Sequence, residues 1–180
     1  RLANCGKNYV KHKYNLEIKK GNLYLISGAN GSGKTTLIRL VLGFIAPDFG
    51  LIEKNNYKVS YLPERSELPG HMTSLEYLKI NAKIKKTKID LKLILNFEIP
   101  LYQKISLLSK GNKQKVAIIA TLAGENDLIV LDEPLSGLDT QMIKVVKNAV
   151  KEQILNGVSF LISTHNPNVF KSLAHEHLEL

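Results

Sequence analysis

The sequence predicts an α/β protein whose mostly parallel sheet is flanked by helices. Three observations carry this. Short apolar runs bounded by glycine or proline alternate with longer helical patterns. The runs Leu23–Ser27, Leu128–Asp132 and Val158–Ser163 are continuously apolar over most of their length, as strands buried on both faces are. Each leads directly into glycine, carboxylate or histidine residues, and ligands in open α/β sheets bind outside the carboxyl ends of the strands.

In chain order, residues 1–20 are short and polar, with Leu16 and Ile18 alternating with other residues as in an exposed strand. Tyr9 and Tyr14 lie in this region, and each reads either as a ring stacked on an adenine or as a tyrosine on a sheet face. Gly28–Thr36, GANGSGKTT, fits the pattern G-x-x-x-x-G-K-[ST] between an apolar strand and an apolar helix that Gly43 stops. Such a loop cradles anions. Glycines let successive N–H groups converge on phosphate oxygens, and the helix N-terminus adds about half a positive charge. Gly28, Asn30, Gly31, Ser32, Gly33 and Thr36 are candidate phosphate contacts; Lys34 would reach the β- and γ-phosphates, and Thr35 would hold Mg²⁺. The expected ligand is a nucleoside triphosphate.

Residues 46–50 read as a turn and Tyr57–Leu62 as a strand ended by Pro63. From Thr73 to about Asn96 the pattern is helical, with Leu75, Leu78 and Ala82 and then Leu91, Ile94 and Leu95 as apolar positions, and Thr73-Ser74-Leu75-Glu76 reads as a capping box. Pro100 breaks the pattern. Residues 107–115 read as a second polar, glycine-containing loop at a helix N-terminus, with the helix in Val116–Ala123. Leu128–Asp132 followed by Glu133 presents two acids at a strand end, which is how a strand offers a carboxylate to Mg²⁺. Residues 135–139 form a tight loop, 140–155 an amphipathic helix, and Val158–Ser163 a strand that delivers Thr164 and His165.

Composition bounds the remainder. At 180 residues the chain is one domain, or one domain with a small appendage. No apolar run approaches the roughly 18–20 residues a membrane span needs, and residues 1–5 carry no signal-peptide core. The single cysteine, Cys5, excludes an internal disulfide and suits a reducing compartment. The net charge of +9 is carried mostly by lysine, and its densest run, residues 83–88, reads as a solvated helix end without the aromatics of an RNA-binding surface, so nucleic acid is not an expected partner. His12, His71, His175 and His177 have no cysteine or carboxylate cluster that would make a metal site.

With these pieces in order, the chain resembles the ATP-binding cassette (ABC) ATPases, the nucleotide-binding subunits of ABC transporters. Walker A is Gly28–Thr36; the signature loop is Leu108-Ser109-Lys110-Gly111-Asn112; Walker B and its acid run from Leu128 to Glu133; the D-loop is Ser136-Gly137-Leu138-Asp139; the switch histidine is His165. The resemblance implies a RecA-like P-loop NTPase fold with a core of about 1–63 and 107–180, a small helical subdomain at about 64–106 and a reduced N-terminal antiparallel β-region. It implies that Lys34 and the loop amides hold ATP, that Thr35 and Asp132 organise Mg²⁺, that Glu133 polarises water, and that His165 contacts the γ-phosphate. Tyr9 would serve the base, while Ser109, Gly111 and Asp139 would meet a nucleotide across a dimer. The implied partners are a second ABC subunit and a separate integral-membrane permease. The implied location is the cytoplasmic face of the cell membrane.

Two motifs depart from the family pattern. Glu64 stands where the Q-loop glutamine should touch Mg²⁺, and Lys110 and Asn112 replace signature residues in an L-S-K-G-x-K-Q variant that resembles bacterial exporters. The chain is short for the family and shows no C-terminal regulatory extension, which argues against a sugar importer. A DNA-repair or translation ABC protein is the alternative, but the former would carry a long coiled coil after Walker A and the latter two cassettes. A GTPase would need N-K-x-D, which Asn112-Lys113-Gln114-Lys115 does not supply, and a kinase would leave the signature and D-loop unexplained.

Overall fold

A computed structural model describes residues 1–53 and 56–180. The elements in chain order are β1 (Leu2–Gly6), β2 (Tyr14–Leu16), β3 (Leu23–Ser27), α1 (Lys34–Leu42), β4 (Phe49–Ile52), β5 (Val59–Leu62), α2 (Ser74–Ile84), α3 (Leu91–Phe97), α4 (Lys110–Leu122), β6 (Leu128–Asp132), α5 (Thr140–Leu155), β7 (Ser159–Ser163) and β8 (Glu176–Glu179). A five-stranded sheet runs in the order β5-β6-β7-β3-β8, and every neighbouring pair in it is parallel. The register aligns Ile26 and Asp132 with Ser163, so β3, β6 and β7 end level with one another. That register brings the residues after Ser27, Asp132 and Ser163 to one edge.

Strand periodicity divides the interior between the two faces of this sheet. Leu23, Leu25, Ile129, Leu131, Phe160 and Ile162 pack with residues of α4 and α5. Tyr24, Ile26, Leu128, Val130 and Leu161 face the other way, onto Leu37, Ile38 and Leu40 of α1. A second, antiparallel sheet in the order β2-β1-β4 covers that side and contributes Leu2, Cys5, Tyr14 and Leu16 to the same cluster.

Several expectations change. Residues 49–52, expected to lie in or beyond a turn, form β4, and β1 and β8 are strands that the apolar pattern did not reveal. The helical pattern over 73–96 is two helices. The capping box does start α2, with Thr73 Oγ1 accepting from the Glu76 N–H and Glu76 accepting from the Thr73 N–H. Lys86 then takes a left-handed conformation, φ 52°, and Asp90 caps α3 anew. In α3 the buried pair is Ile94 and Phe97; Leu91 and Leu95 are exposed. Residues 110–115, read as a loop, are the first turns of α4, capped by Ser109, whose Oγ accepts from the Asn112 N–H.

The basic run is not uniformly solvated either. Lys85 is half-buried, and its ammonium donates to the Ala120, Thr121 and Ala123 carbonyls and to Ser60 Oγ. His175 and His177 serve the structure, one accepting from the Leu23 N–H and the other bonded to Ser27 Oγ.

Candidate nucleotide-binding site

The strand β3 ends at Ser27 and the chain turns through Gly28, φ 150°, to Gly33, φ 107°. Both positions require glycine. A Cβ on Gly28 would lie 2.4 Å from the Leu180 carbonyl oxygen, and one on Gly33 would lie 2.4 Å from Tyr14 Oη. Gly33 caps α1 with no side-chain bond, which leaves the first amides of the helix available to an anion. Lys34 is only 7% exposed and folds back over the loop, donating to the Gly28 and Ala29 carbonyls at 2.8 and 3.1 Å. Ser32 Oγ is buried without a hydrogen-bond partner among the described residues. The first amides of α1, a folded-back ammonium and an orphaned hydroxyl together fit a polyphosphate.

The acids enter from β6. Asp132 is 2% exposed; its Oδ2 accepts from Thr35 Oγ1 at 3.5 Å, and its Oδ1 accepts from Ser163 Oγ in a short contact. Burial raises the Asp132 carboxyl above the ordinary range, against the Ser163 hydrogen bond. Two hard oxygens, one of them on a buried carboxylate, fit a small divalent cation such as Mg²⁺, which uses one or two carboxylates together with substrate phosphates.

Glu133 adopts a left-handed conformation, φ 50°, and its N–H donates to both the carbonyl and the hydroxyl of Ser163. Its Oε2 accepts from the His165 N–H at 3.2 Å. His165 Nε2 stands 3.1 Å from Oε1, within ion-pair distance but off the hydrogen-bonding line, so Oε1 has no hydrogen-bond partner among the described residues. Burial raises the Glu133 carboxyl, and the His165 amide and imidazole oppose the rise.

These groups meet in one cleft of about 440 Å³, lined by the phosphate loop, Glu64, Asp132, Glu133 and His165 and also by Tyr9 and Val10. The two tyrosines separate clearly. Tyr9 is 69% exposed at this cleft, whereas Tyr14 is fully buried and donates to the Gly33 carbonyl at 3.0 Å, buttressing the loop from behind. Burial pushes the Tyr14 phenol up to about 12.

Ser109, Gly111 and Asp139 do not line this cleft. Ser109 and Asp139 are exposed caps of α4 and α5, and Asp139 Oδ1 accepts from the Met142 N–H. Gly111 packs against the loop before α5, where its Cβ would lie 2.8 Å from the Gly137 oxygen. Gln114 Nε2 donates to the Pro134 carbonyl and ties α4 to the segment after Glu133. Sequence reasoning missed Ser163 and Gln114. The one available signal for Ser163 was a hydroxyl ending an otherwise apolar strand.

Residues 11–136 match the family model described as ABC transporter. An ergothioneine transport ATP-binding protein of Helicobacter pylori is 31% identical, over 99% of this chain and 95% of its own. An uncharacterized ABC transporter ATP-binding protein of Methanocaldococcus jannaschii is 33% identical, over 89% of this chain and 64% of its own. The chain spans between 47% and 64% of the length of four of the curated relatives it matches, and the names of its relatives include both import and export proteins. A solved ATP-binding subunit of an ABC transporter superposes with a TM-score of 0.87 at 25% identity, over 99% of this chain and 84% of that one. The parallel sheet with its flanking helices and small antiparallel sheet is the P-loop fold of those cassettes.

Proposed function

The chain belongs to the ABC transporter family, and on that premise we propose that it binds and hydrolyses ATP to power a separate membrane permease. The observation that carries this reading is the convergence of Lys34, Thr35, Asp132, Glu133 and His165 on one cleft at the carboxyl edge of the parallel sheet.

Lys34 and the amides of Gly31–Thr35 would bind the β- and γ-phosphates, and Tyr9 would stack on the base. Thr35 and Asp132 would hold Mg²⁺, with Glu64 exposed on the same wall as a further oxygen ligand. The metal, when bound, neutralises charge developing on the phosphates. Glu133 has the position and raised proton affinity of a group that orients water and accepts its proton. His165, held to Glu133 through its backbone, would hydrogen-bond the γ-phosphate and keep the carboxylate aimed.

Ser109, Gly111 and Asp139 lie outside this cleft's lining, which favours an assembly in which they complete the site of a second cassette. The residues around 64–106 would act as the helical subdomain, with Glu64 at its junction to the core. No helix among the described residues is long and apolar enough to cross a membrane. The subunit would sit against the cytoplasmic side of the permease it powers. Export is the proposed direction, supported by the L-S-K-G-x-K-Q signature.

The test is ATP-dependent association of Glu133→Gln, followed by size-exclusion chromatography with Mg-ATP and with Mg-ADP. The substitution keeps the shape of the side chain and removes its ability to accept a proton, so ATP persists and the dimer accumulates. A dimer with ATP and a monomer with ADP is the expected result. Absence of ATP binding by the unsubstituted protein refutes the reading outright.

A further inference from the structure

Tyr9 faces the cleft at 69% exposure, so its own packing does little to fix it. Its position comes from the loop that carries it, and that loop is held by a residue distant in sequence. The Asp48 N–H donates to the Gly6 carbonyl at 2.8 Å. One carboxylate oxygen of Asp48 accepts from the Asn8 N–H at 2.8 Å, and the other takes the Lys7 ammonium in a short contact. Lys7 also donates to the Ala46 carbonyl at 3.2 Å, so Asp48 and its turn grip three consecutive residues, Gly6, Lys7 and Asn8.

The grip extends to the ring. The Lys7 ammonium lies 5.9 Å from the Tyr9 ring centroid, within cation–π range. The Val10 N–H donates to the Lys7 carbonyl at 3.0 Å and closes the turn around Tyr9. The Lys7–Asp48 side chains are 18% and 28% exposed, far less than the 67% and 88% of the surface pair Lys58–Glu125. Exposed pairs contribute little, whereas a shielded pair that also accepts from a backbone amide can fix a loop. The Asn8 amide first, and then Lys7, hold the Asp48 carboxyl below the usual range.

The placement joins both walls of the cleft to one helix. The phosphate loop opens α1, and the turn after α1 carries Asp48, which holds the loop bearing Tyr9. We propose that Asp48 is a positioning residue that holds Tyr9 for base stacking, and thereby sets affinity for the nucleobase and not for the phosphate chain. This rests on the nucleotide-binding reading above.

The experiment is isothermal titration of the unsubstituted protein, Asp48→Ala, Tyr9→Ala and the double variant with Mg-ATP and with Mg-tripolyphosphate, which lacks base and sugar. Base–aromatic stacking corresponds to roughly a tenfold change in affinity or more. Each single substitution is expected to weaken ATP by about that factor and leave tripolyphosphate unchanged, with the double variant no weaker than Tyr9→Ala. Asp48→Asn retains an acceptor for Asn8 while losing the charge, and should fall between; it also carries the test if the alanine variant fails to fold. Unchanged ATP affinity in both Asp48 variants, equal weakening of ATP and tripolyphosphate, or additive losses in the double variant would each overturn the proposal. If the unsubstituted protein binds tripolyphosphate and Tyr9→Ala binds ATP normally, the base-positioning role falls while the phosphate site stands. If it binds neither ligand, the nucleotide reading falls and takes this one with it.

Discussion

Lys85→Met tests the least expected interaction in the fold. The last carbonyls of a helix lack intrahelical partners, and α4 has no basic residue in its own last turn to meet them. Lys85, the C-cap of α2, supplies the cation, standing 2.8, 3.0 and 3.0 Å from the Ala120, Thr121 and Ala123 oxygens and 2.9 Å from Ser60 Oγ on β5. An ammonium has three N–H groups, so at most three of the four acceptors are served at once. Against this, burial pushes the ammonium down from 10.5 to about 8. That shift corresponds to about 3 kcal/mol at most, and partial exposure lowers it to about 1–3 kcal/mol. Methionine recovers the desolvation cost but leaves the carbonyls without a donor. A buried acceptor left without a donor costs about 1–3 kcal/mol, so a net loss on the order of 2 kcal/mol and a fall in melting temperature of about 4–8 °C are expected near neutral pH.

The pH dependence gives the sharper test. Lys85 binds its proton less tightly in the folded chain than in the unfolded one, so between about pH 8 and 10.5 the unfolded chain holds more protons and folding gains as pH rises. The substituted protein lacks this contribution. The stability gap between the two proteins should therefore widen from about pH 7 to about pH 9.5 in urea denaturation followed by circular dichroism. A constant gap would mean that burial and the carbonyl cage cancel. A shrinking gap would mean that the carbonyls outweigh burial, and either result would refute the reasoning.

Two further outcomes follow from packing. Gly33→Ala places a Cβ 2.4 Å from Tyr14 Oη and 2.9 Å from Val10 Cγ1 at a left-handed position, so ATP affinity should fall more than tenfold with α-helical ellipticity largely kept. Phe97→Ala should cost about 3–5 kcal/mol in urea denaturation, because the ring is fully buried, while Leu95→Ala at 75% exposure should stay within about 0.5 kcal/mol.

What the sequence disclosed depended on how each element is buried. The strands β3, β6 and β7 are buried throughout, so their continuous apolar runs marked them, and with them the site residues at their ends. The strand β8 is Glu176–Glu179, largely exposed, and it is defined by pairing with β3, which no periodicity reveals. In β4 the middle residues are exposed and its pairing with β1 shifts register, so alternation is lost there too. The break between α2 and α3 was written in Asp90, whose side chain accepts from the Leu93 N–H, but apolar residues on both sides concealed it. Tyr9 and Tyr14 were indistinguishable by residue type, and only burial separates a cleft ring from a core ring.

The conformation of Glu133 explains how two adjacent acids come to serve one cleft. Successive residues of a strand point to opposite faces, so an extended chain would send the Asp132 and Glu133 side chains apart. Pairing of β6 with β7 ends at Asp132 and Ser163, yet the Glu133 N–H still bonds to Ser163 through both its carbonyl and its hydroxyl. The left-handed φ of 50° at that point bends the chain, and both acids line the cleft. Such a conformation costs a non-glycine residue about 1–3 kcal/mol and persists only where neighbours over-determine it. Here the neighbour is Ser163, which also holds Asp132 Oδ1, so one hydroxyl orients Asp132 while its residue fixes the bend that aims Glu133 into the cleft. Glycine at 133 would relieve the strain but remove the carboxylate, so the strain stays where the proposed water-orienting role needs an acid.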